Sequence, residues 1–90
     1  MVQYEVKISG RVQGVGFRFF TEKKAAELNI KGWVKNTRFG DVEVIAQGEE
    51  TDMDTFIDYL QIGPPLAKVN KISKYKMQDL SDFNIFSIKY

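Results

Sequence analysis

The apolar patterning of this 90-residue chain predicts an α+β sandwich, with two helices on one face of a mostly antiparallel sheet of four to five strands. Three observations carry the prediction. Apolar and polar residues alternate near the start, in the middle and at the end of the chain, as they do in half-buried strands. Two intervening segments repeat their apolar residues at helical spacing instead. Glycine and proline fall between these segments, so the period changes at turns and not inside elements.

Val2 to Ser9 reads as the first strand. Tyr4, Val6 and Ile8 share one face; Gln3, Glu5, Lys7 and Ser9 share the other, expected to be wet or lightly covered. Phe17 to Leu28 is helical, with Phe17, Phe20, Thr21, Ala25 and Leu28 on an inward stripe and Phe19 and Ala26 pointing away from it. Glu22, Lys23, Lys24 and Glu27 form the solvated face, with Lys23 and Glu27 spaced as an i,i+4 pair, and Asn29 suits a left-handed stop. Gly32 to Thr37 and Val42 to Gly48 read as a hairpin joined through Arg38-Phe39-Gly40-Asp41. Thr51 opens the second helix, with Asp54 completing a capping-box-like pair, and Met53, Phe56, Ile57 and Leu60 face the core. Gly63-Pro64-Pro65 ends it, because proline cannot continue a helix. Ala67 to Met77 is strand-like, but its apolar phase changes between Val69 and Ile72, which predicts a bulge. Its Lys68, Lys71, Lys74 and Lys76 suit an exposed edge that resists aggregation. After a polar loop at Gln78 to Ser81, Phe86, Ile88 and Tyr90 alternate as a final strand running to the last residue. Two strand–helix–strand halves in this order make a split βαβ, ferredoxin-like sandwich.

Ninety residues suit one domain spanning 1–90 with a single core. Thirteen basic and twelve acidic side chains leave a net charge of +1, which offers no bulk attraction to nucleic acid or to an anionic membrane. No run approaches transmembrane length and the chain opens Met-Val-Gln-Tyr without an apolar signal segment, so a cytoplasmic protein is expected. The sequence has no cysteine and no histidine. That removes disulfides, thiolate nucleophiles, imidazole acid–base catalysis and the usual zinc or copper ligands together. Chemistry here must ask little of the protein's side chains.

One stretch stands out against this background, Ser9-Gly10-Arg11-Val12-Gln13-Gly14-Val15-Gly16-Phe17-Arg18, between the first strand and the first helix. Three glycines free the backbone for positive φ or close approach, at an entropic cost on folding. Arg18 falls in the first helical turn, where unpaired N–H groups and the positive end of the helix dipole face outward. Together these make an anion site, best suited to phosphate. The dinucleotide fingerprint fails at Phe19, where its third glycine belongs, and the P-loop pattern fails at Phe17 and Arg18. Asn36, at the end of the second strand, by itself suits a residue that turns the chain.

The chain resembles the acylphosphatase family in Gly10-Arg11-Val12-Gln13-Gly14-Val15-Gly16-Phe17-Arg18, in Lys31-Gly32-Trp33-Val34-Lys35-Asn36-Thr37 and in Gly40-Asp41-Val42-Glu43-Val44. It is similar again at Gly63-Pro64-Pro65 and at Phe86-Ser87-Ile88-Lys89-Tyr90. The resemblance implies hydrolysis of acyl phosphates such as acetyl phosphate, benzoyl phosphate or 1,3-bisphosphoglycerate, without metal or other cofactor. It implies Arg18 and Asn36 as catalytic residues, and a phosphate held by the backbone of Gln13, Gly14, Val15, Gly16, Phe17 and Arg18. Inorganic phosphate is the implied product or inhibitor, and a monomer the implied state. Arg38-Phe39 at the hairpin tip, often more polar in the family, and Phe19 on the outer face of the helix are departures expected to bear on substrate preference.

Two other classes share this topology. An RNA-binding module needs aromatics on its central strands, and Val42 to Gly48 has none. A domain that binds an anion without turning it over would carry the same glycine loop, and only the resemblance, through Asn36, argues for turnover.

Overall fold

The computed structural model describes residues 1–90, the whole chain. Its elements are β1 (Val2–Arg11), α1 (Phe17–Glu27), β2 (Lys31–Asn36), β3 (Val42–Gly48), α2 (Glu50–Ile62), β4 (Lys68–Lys76) and β5 (Phe86–Lys89). The five strands form one sheet in the order β4-β1-β3-β2-β5. Every neighbouring pair is antiparallel except β2 and β5, which run parallel.

The helices cover the sheet face that the alternation assigns to the core. Val6, Ile8, Val34, Val42, Val44 and Ala46 meet Phe17 and Ala25 of α1 and Met53, Phe56, Ile57 and Leu60 of α2, all buried in one cluster. Phe86 of β5 closes on Phe56 edge to face, with ring centroids 6.1 Å apart. In α1 the stripe is narrower than its spacing suggests: Phe17, Thr21 and Ala25 are buried, whereas Phe20 and Leu28 are half-buried. Thr21 satisfies its buried hydroxyl by donating to the Phe17 carbonyl at 2.8 Å.

Asn29 takes the left-handed conformation at φ 56° and stops α1, as its type predicts. The bulge is also where the phase change puts it. Ser9 pairs with Lys71 and Gly10 with Val69, so Asn70 is the extra residue. Gly10, at φ 128°, lets the bulged backbone come close: a Cβ there would collide with the Lys68 carbonyl and lie 2.8 Å from the Asn70 nitrogen. β4 is a sheet edge, in keeping with its lysines.

Four details differ from the sequence reading. The second helix starts at Glu50, not Thr51, and no side chain caps it; Met53 N–H already donates to the Glu49 carbonyl at 2.9 Å. Glu50 and Asp52 in the first turn complement the helix dipole without a capping box. The ion pair on α1 is Lys24–Glu27 at 3.4 Å, not Lys23–Glu27, and Lys24 also lies over the rings of Tyr59 and Phe20. The last strand ends at Lys89, leaving Tyr90 beyond it and exposed. Finally, Gln3 and Gln47, cross-strand partners on the face away from the helices, are buried. Gln3 Oε1 accepts from Ser81 N–H at 2.7 Å and from Gln47 Nε2 at 3.0 Å, and Gln47 Nε2 also donates to the Ser81 carbonyl at 2.6 Å. The light cover expected on that face is the segment of residues 77–85, which carries the chain from edge strand β4 to edge strand β5.

Candidate active site

β1, β2 and β5 run in the same direction, and α1 begins where β1 ends, so four chain segments meet at one end of the sheet. Val12, buried, anchors the chain as it leaves β1. Gly14 and Gly16 then take left-handed φ values of 73° and 79°. Nothing lies within 4 Å of a Cβ built on either, so glycine is required there for backbone conformation and not for space. Two left-handed residues flanking Val15 curve the backbone into a concavity of the kind that turns N–H groups toward an anion. Gly16 is also the N-cap of α1, where no side chain caps the helix. The first-turn N–H groups are therefore open.

Gln13 holds this loop to the β2–β3 hairpin. Its Nε2 donates to the carbonyls of Thr37 at 2.7 Å and Asp41 at 2.8 Å. Both partners are acceptors, which fixes the orientation of the amide. The hairpin's own turn is made by Thr37: its Oγ1 accepts from Phe39 N–H at 3.3 Å and Asp41 N–H at 3.2 Å. Asn36 is thus spared the turn-forming role that its type suggests. Its Oδ1 is buried with no hydrogen-bond partner. A buried acceptor left unsatisfied costs about 1–3 kcal/mol, so it calls for an explanation in function.

Arg18, half-buried in the first turn of α1, reaches back across the end of β5. Nη1 donates to the Lys89 carbonyl at 3.3 Å, and the guanidinium carbon lies 4.7 Å from the centroid of the Tyr90 ring. Gly14, Gly16, Phe17, Arg18 and Asn36 all line one cavity of about 210 Å³, together with Val12, Phe19, Ile88 and Tyr90. Arg18 is the one side chain carrying a formal charge in this wall, which contains no carboxylate side chain and no metal-ligating residue pair.

The Acylphosphatase family model matches residues 4–88. The acylphosphatase of Archaeoglobus fulgidus is 43% identical over 90 residues, covering 100% of both chains. That of Bacillus subtilis is 41% identical over 90 residues, covering 100% of this chain and 99% of the relative. The chain belongs to the acylphosphatase family. The crystal structure of the Bacillus subtilis acylphosphatase superposes with a TM-score of 0.97, each chain fully covered. An acylphosphatase structure from Coxiella burnetii gives a TM-score of 0.94 at 39% identity, covering 98% of this chain and 92% of that one. The ferredoxin-like α+β fold is therefore that of acylphosphatases of known structure.

Within this acylphosphatase fold, two of the loop residues lie outside the cavity wall. Gln13 braces the hairpin through its side chain, and Val15 packs half-buried against the core. Of the departures, Phe19 lines the cavity, whereas Arg38 and Phe39 do not. They line a neighbouring cleft of about 380 Å³ with Lys7 and Lys35, and Asn36 belongs to both. The sequence reading missed the Gln13 brace and the contacts of Lys89 and Tyr90 with Arg18. The one signal for the latter was an aromatic at the end of an alternating strand.

Proposed function

We propose that this protein hydrolyses the carboxyl–phosphate bond of small acyl phosphates, yielding a carboxylate and inorganic phosphate, with Arg18 and Asn36 as its catalytic side chains. The leaving carboxylate has a conjugate acid with a pKa of roughly 4, so it departs without a proton from the protein. This suits a chain without histidine and a cavity wall without carboxylate side chains. Phosphoryl transfer through a loose transition state asks mainly for positioning and charge stabilisation.

The open N–H groups of the loop from Gln13 to Arg18 cradle the phosphoryl oxygens, and the Arg18 guanidinium adds a planar fork for two of them. With one of its five donors on Lys89, the guanidinium keeps the others for substrate. Asn36 holds the attacking water in line with the scissile bond while remaining neutral beside the phosphate, and the phosphoryl group takes the water's proton. The observation that carries this reading is Asn36: the residue lines the cavity, and its buried carboxamide oxygen is left without a partner while Thr37 makes the turn. The side-chain oxygens of the cavity wall are those of Asn36 and Tyr90, both neutral, and the hydrolysis proposed is metal-independent.

The test is benzoyl phosphate hydrolysis with a chelator present, comparing wild type with Asn36→Ala and measuring inhibition by inorganic phosphate alongside. Turnover that falls by about two to three orders of magnitude in the variant, with phosphate inhibition retained, supports the assignment. A variant that loses phosphate binding as much as turnover would overturn the division of labour between Asn36 and the loop. No wild-type turnover with phosphate still bound would leave an anion-binding domain. We further propose one domain acting as a cytoplasmic monomer that binds neither nucleic acid nor membrane. The lysines along edge strand β4 oppose strand-to-strand pairing, the net charge is +1, and no helix is long and apolar enough to cross a membrane.

A further inference from the structure

We propose that the acyl group of the substrate lies in an apolar groove running from the cavity along α1, so that the protein prefers acyl phosphates with extended aliphatic or aromatic acyl groups. The proposal rests on the acyl phosphate hydrolysis reading above. The cavity adjoins two other concavities. Asn36 is shared between the cavity and the charged cleft, where Lys7, Lys35 and Arg38 face Asp41 and Glu43 and Lys35 pairs with Glu43 at 3.8 Å. Phe19 is shared between the cavity and a groove of about 550 Å³ on the flank of α1, whose exposed wall is mainly apolar and is rimmed by Glu22, Lys23, Asn29, Lys31 and Asn84.

In-line displacement sets the entering water and the departing carboxylate on opposite sides of phosphorus. Water held at Asn36 directs the acyl group away from Asn36, and so away from the cleft that shares that residue. The continuation left open is the one past Phe19. Beyond it, Phe19 and Ala26 lie on one face of α1 at i and i+7, and Ile85 and Phe86 border the groove from the start of β5, with Ile30 between the two elements in sequence. Phe19 and Ile85 are 68% and 69% exposed, two large apolar side chains bordering one groove outside the core. Seven residues of helix from Phe19 to Ala26 give it a length of about 10 Å. That suits a medium-length acyl chain or an aryl ring better than an acetyl group.

The experiment compares kcat and KM for acetyl, octanoyl and benzoyl phosphate in wild type, Ala26→Glu, Ala26→Leu and Ile85→Asp. Ala26 and Ile85 are exposed, so these substitutions spare the core. Octanoyl phosphate is expected to have a KM lower than acetyl phosphate by about tenfold or more. That advantage disappears in Ala26→Glu and Ile85→Asp and survives in Ala26→Leu. Acetyl phosphate turnover and inhibition by inorganic phosphate stay at wild-type values in all three. Equal KM values across the substrates in wild type, a preference untouched by Ala26→Glu and Ile85→Asp, or an equal loss on every substrate would overturn the proposal. So would a preference for anionic acyl groups that Arg38→Ala abolishes, because it would put the acyl group in the charged cleft beside Arg38. Absence of wild-type turnover on acetyl phosphate is a different result: it removes the hydrolase reading, and the groove assignment with it.

Discussion

Replacing Gln13 tests whether the loop and the hairpin act as one rigid unit. Gln13→Ala removes two hydrogen bonds, of 2.7 Å to the Thr37 carbonyl and 2.8 Å to the Asp41 carbonyl. At about 0.5–1.5 kcal/mol net for each bond, the pair contributes about 1–3 kcal/mol. Neither carbonyl is left bare: Thr37 O still accepts from Gly40 N–H at 3.4 Å, and Asp41 O from Thr37 N–H at 2.8 Å. The loss therefore falls in the lower part of that range, about 1–2 kcal/mol. For a domain of this size, each kcal/mol lowers Tm by about 4–8 °C, which thermal unfolding followed by circular dichroism resolves. Gln13→Glu is the sharper variant, because an ionised carboxylate of nearly the same shape presents acceptors to two carbonyls and donates nothing. It should be less stable than Gln13→Ala at neutral pH. Both variants loosen Asn36 relative to the loop, and a displacement approaching 1 Å costs about 10²-fold in rate, so kcat should fall by tenfold or more while the folded population at assay temperature stays high. A Gln13→Glu protein with wild-type Tm would refute the brace, and a destabilised Gln13→Ala protein with wild-type kcat would show that the brace does not act on the site.

Four further substitutions address the rest of the cavity and the bulged strand that leads into it. Arg18→Lys keeps the charge but loses the planar fork, so kcat/KM should drop by about 10²–10³-fold with little change in Tm, the side chain's one hydrogen bond being exposed; steady-state kinetics with a melting curve check both. Gly14→Ala should cost only the left-handed strain, about 1–2 kcal/mol, because nothing lies within 4 Å of the added carbon. Gly10→Ala should cost distinctly more, because the new Cβ collides with the β4 backbone; urea titrations of the two variants give the comparison. Tyr90→Ala removes a cation–π contact of about 0.5–1 kcal/mol from Arg18 and should lower kcat/KM a few-fold at unchanged Tm, since Tyr90 is 99% exposed.

The sequence was most legible where a local rule acts on one segment. Alternation placed the inward face of β1, a left-handed residue type placed the stop at Asn29, and a change of phase placed the bulge at Asn70. It was least legible where the partner lies far along the chain. Gln3 looked like a solvent-facing position of a half-buried strand, yet it is buried because Ser81, 78 residues on, reaches its amide. Gln13 looked like a loop residue valued for its backbone, and its side-chain partners Thr37 and Asp41 lie 24 and 28 residues away. The start of α2 at Glu50 was missed for a different reason. A capping-box pattern at Thr51 competed with acidic residues that stabilise the first turn through the dipole, and the longer helix won. Arg18 was legible as a cation in the first turn of a helix after a glycine-rich loop, whereas Asn36 was legible only through the family resemblance. Their meeting in one cavity follows from strand pairing, which the spacing alone does not encode.

That meeting has a topological cause. β3 is antiparallel to both β1 and β2, so those two strands end at the same edge of the sheet, delivering the glycine loop and Asn36 side by side. β5 is parallel to β2 and ends there too, which brings Lys89 and Tyr90 against Arg18. A parallel edge strand cannot follow β4 through a tight turn, because β4 lies at the opposite edge; residues 77–85 must cross the far end of the sheet first. What secures that crossing is the buried Gln3–Gln47–Ser81 network, at the end of the sheet away from the cavity. The position of the Arg18 guanidinium thus depends on the register of β5. The segment that leads into β5 is held in turn by two amides that never approach the site.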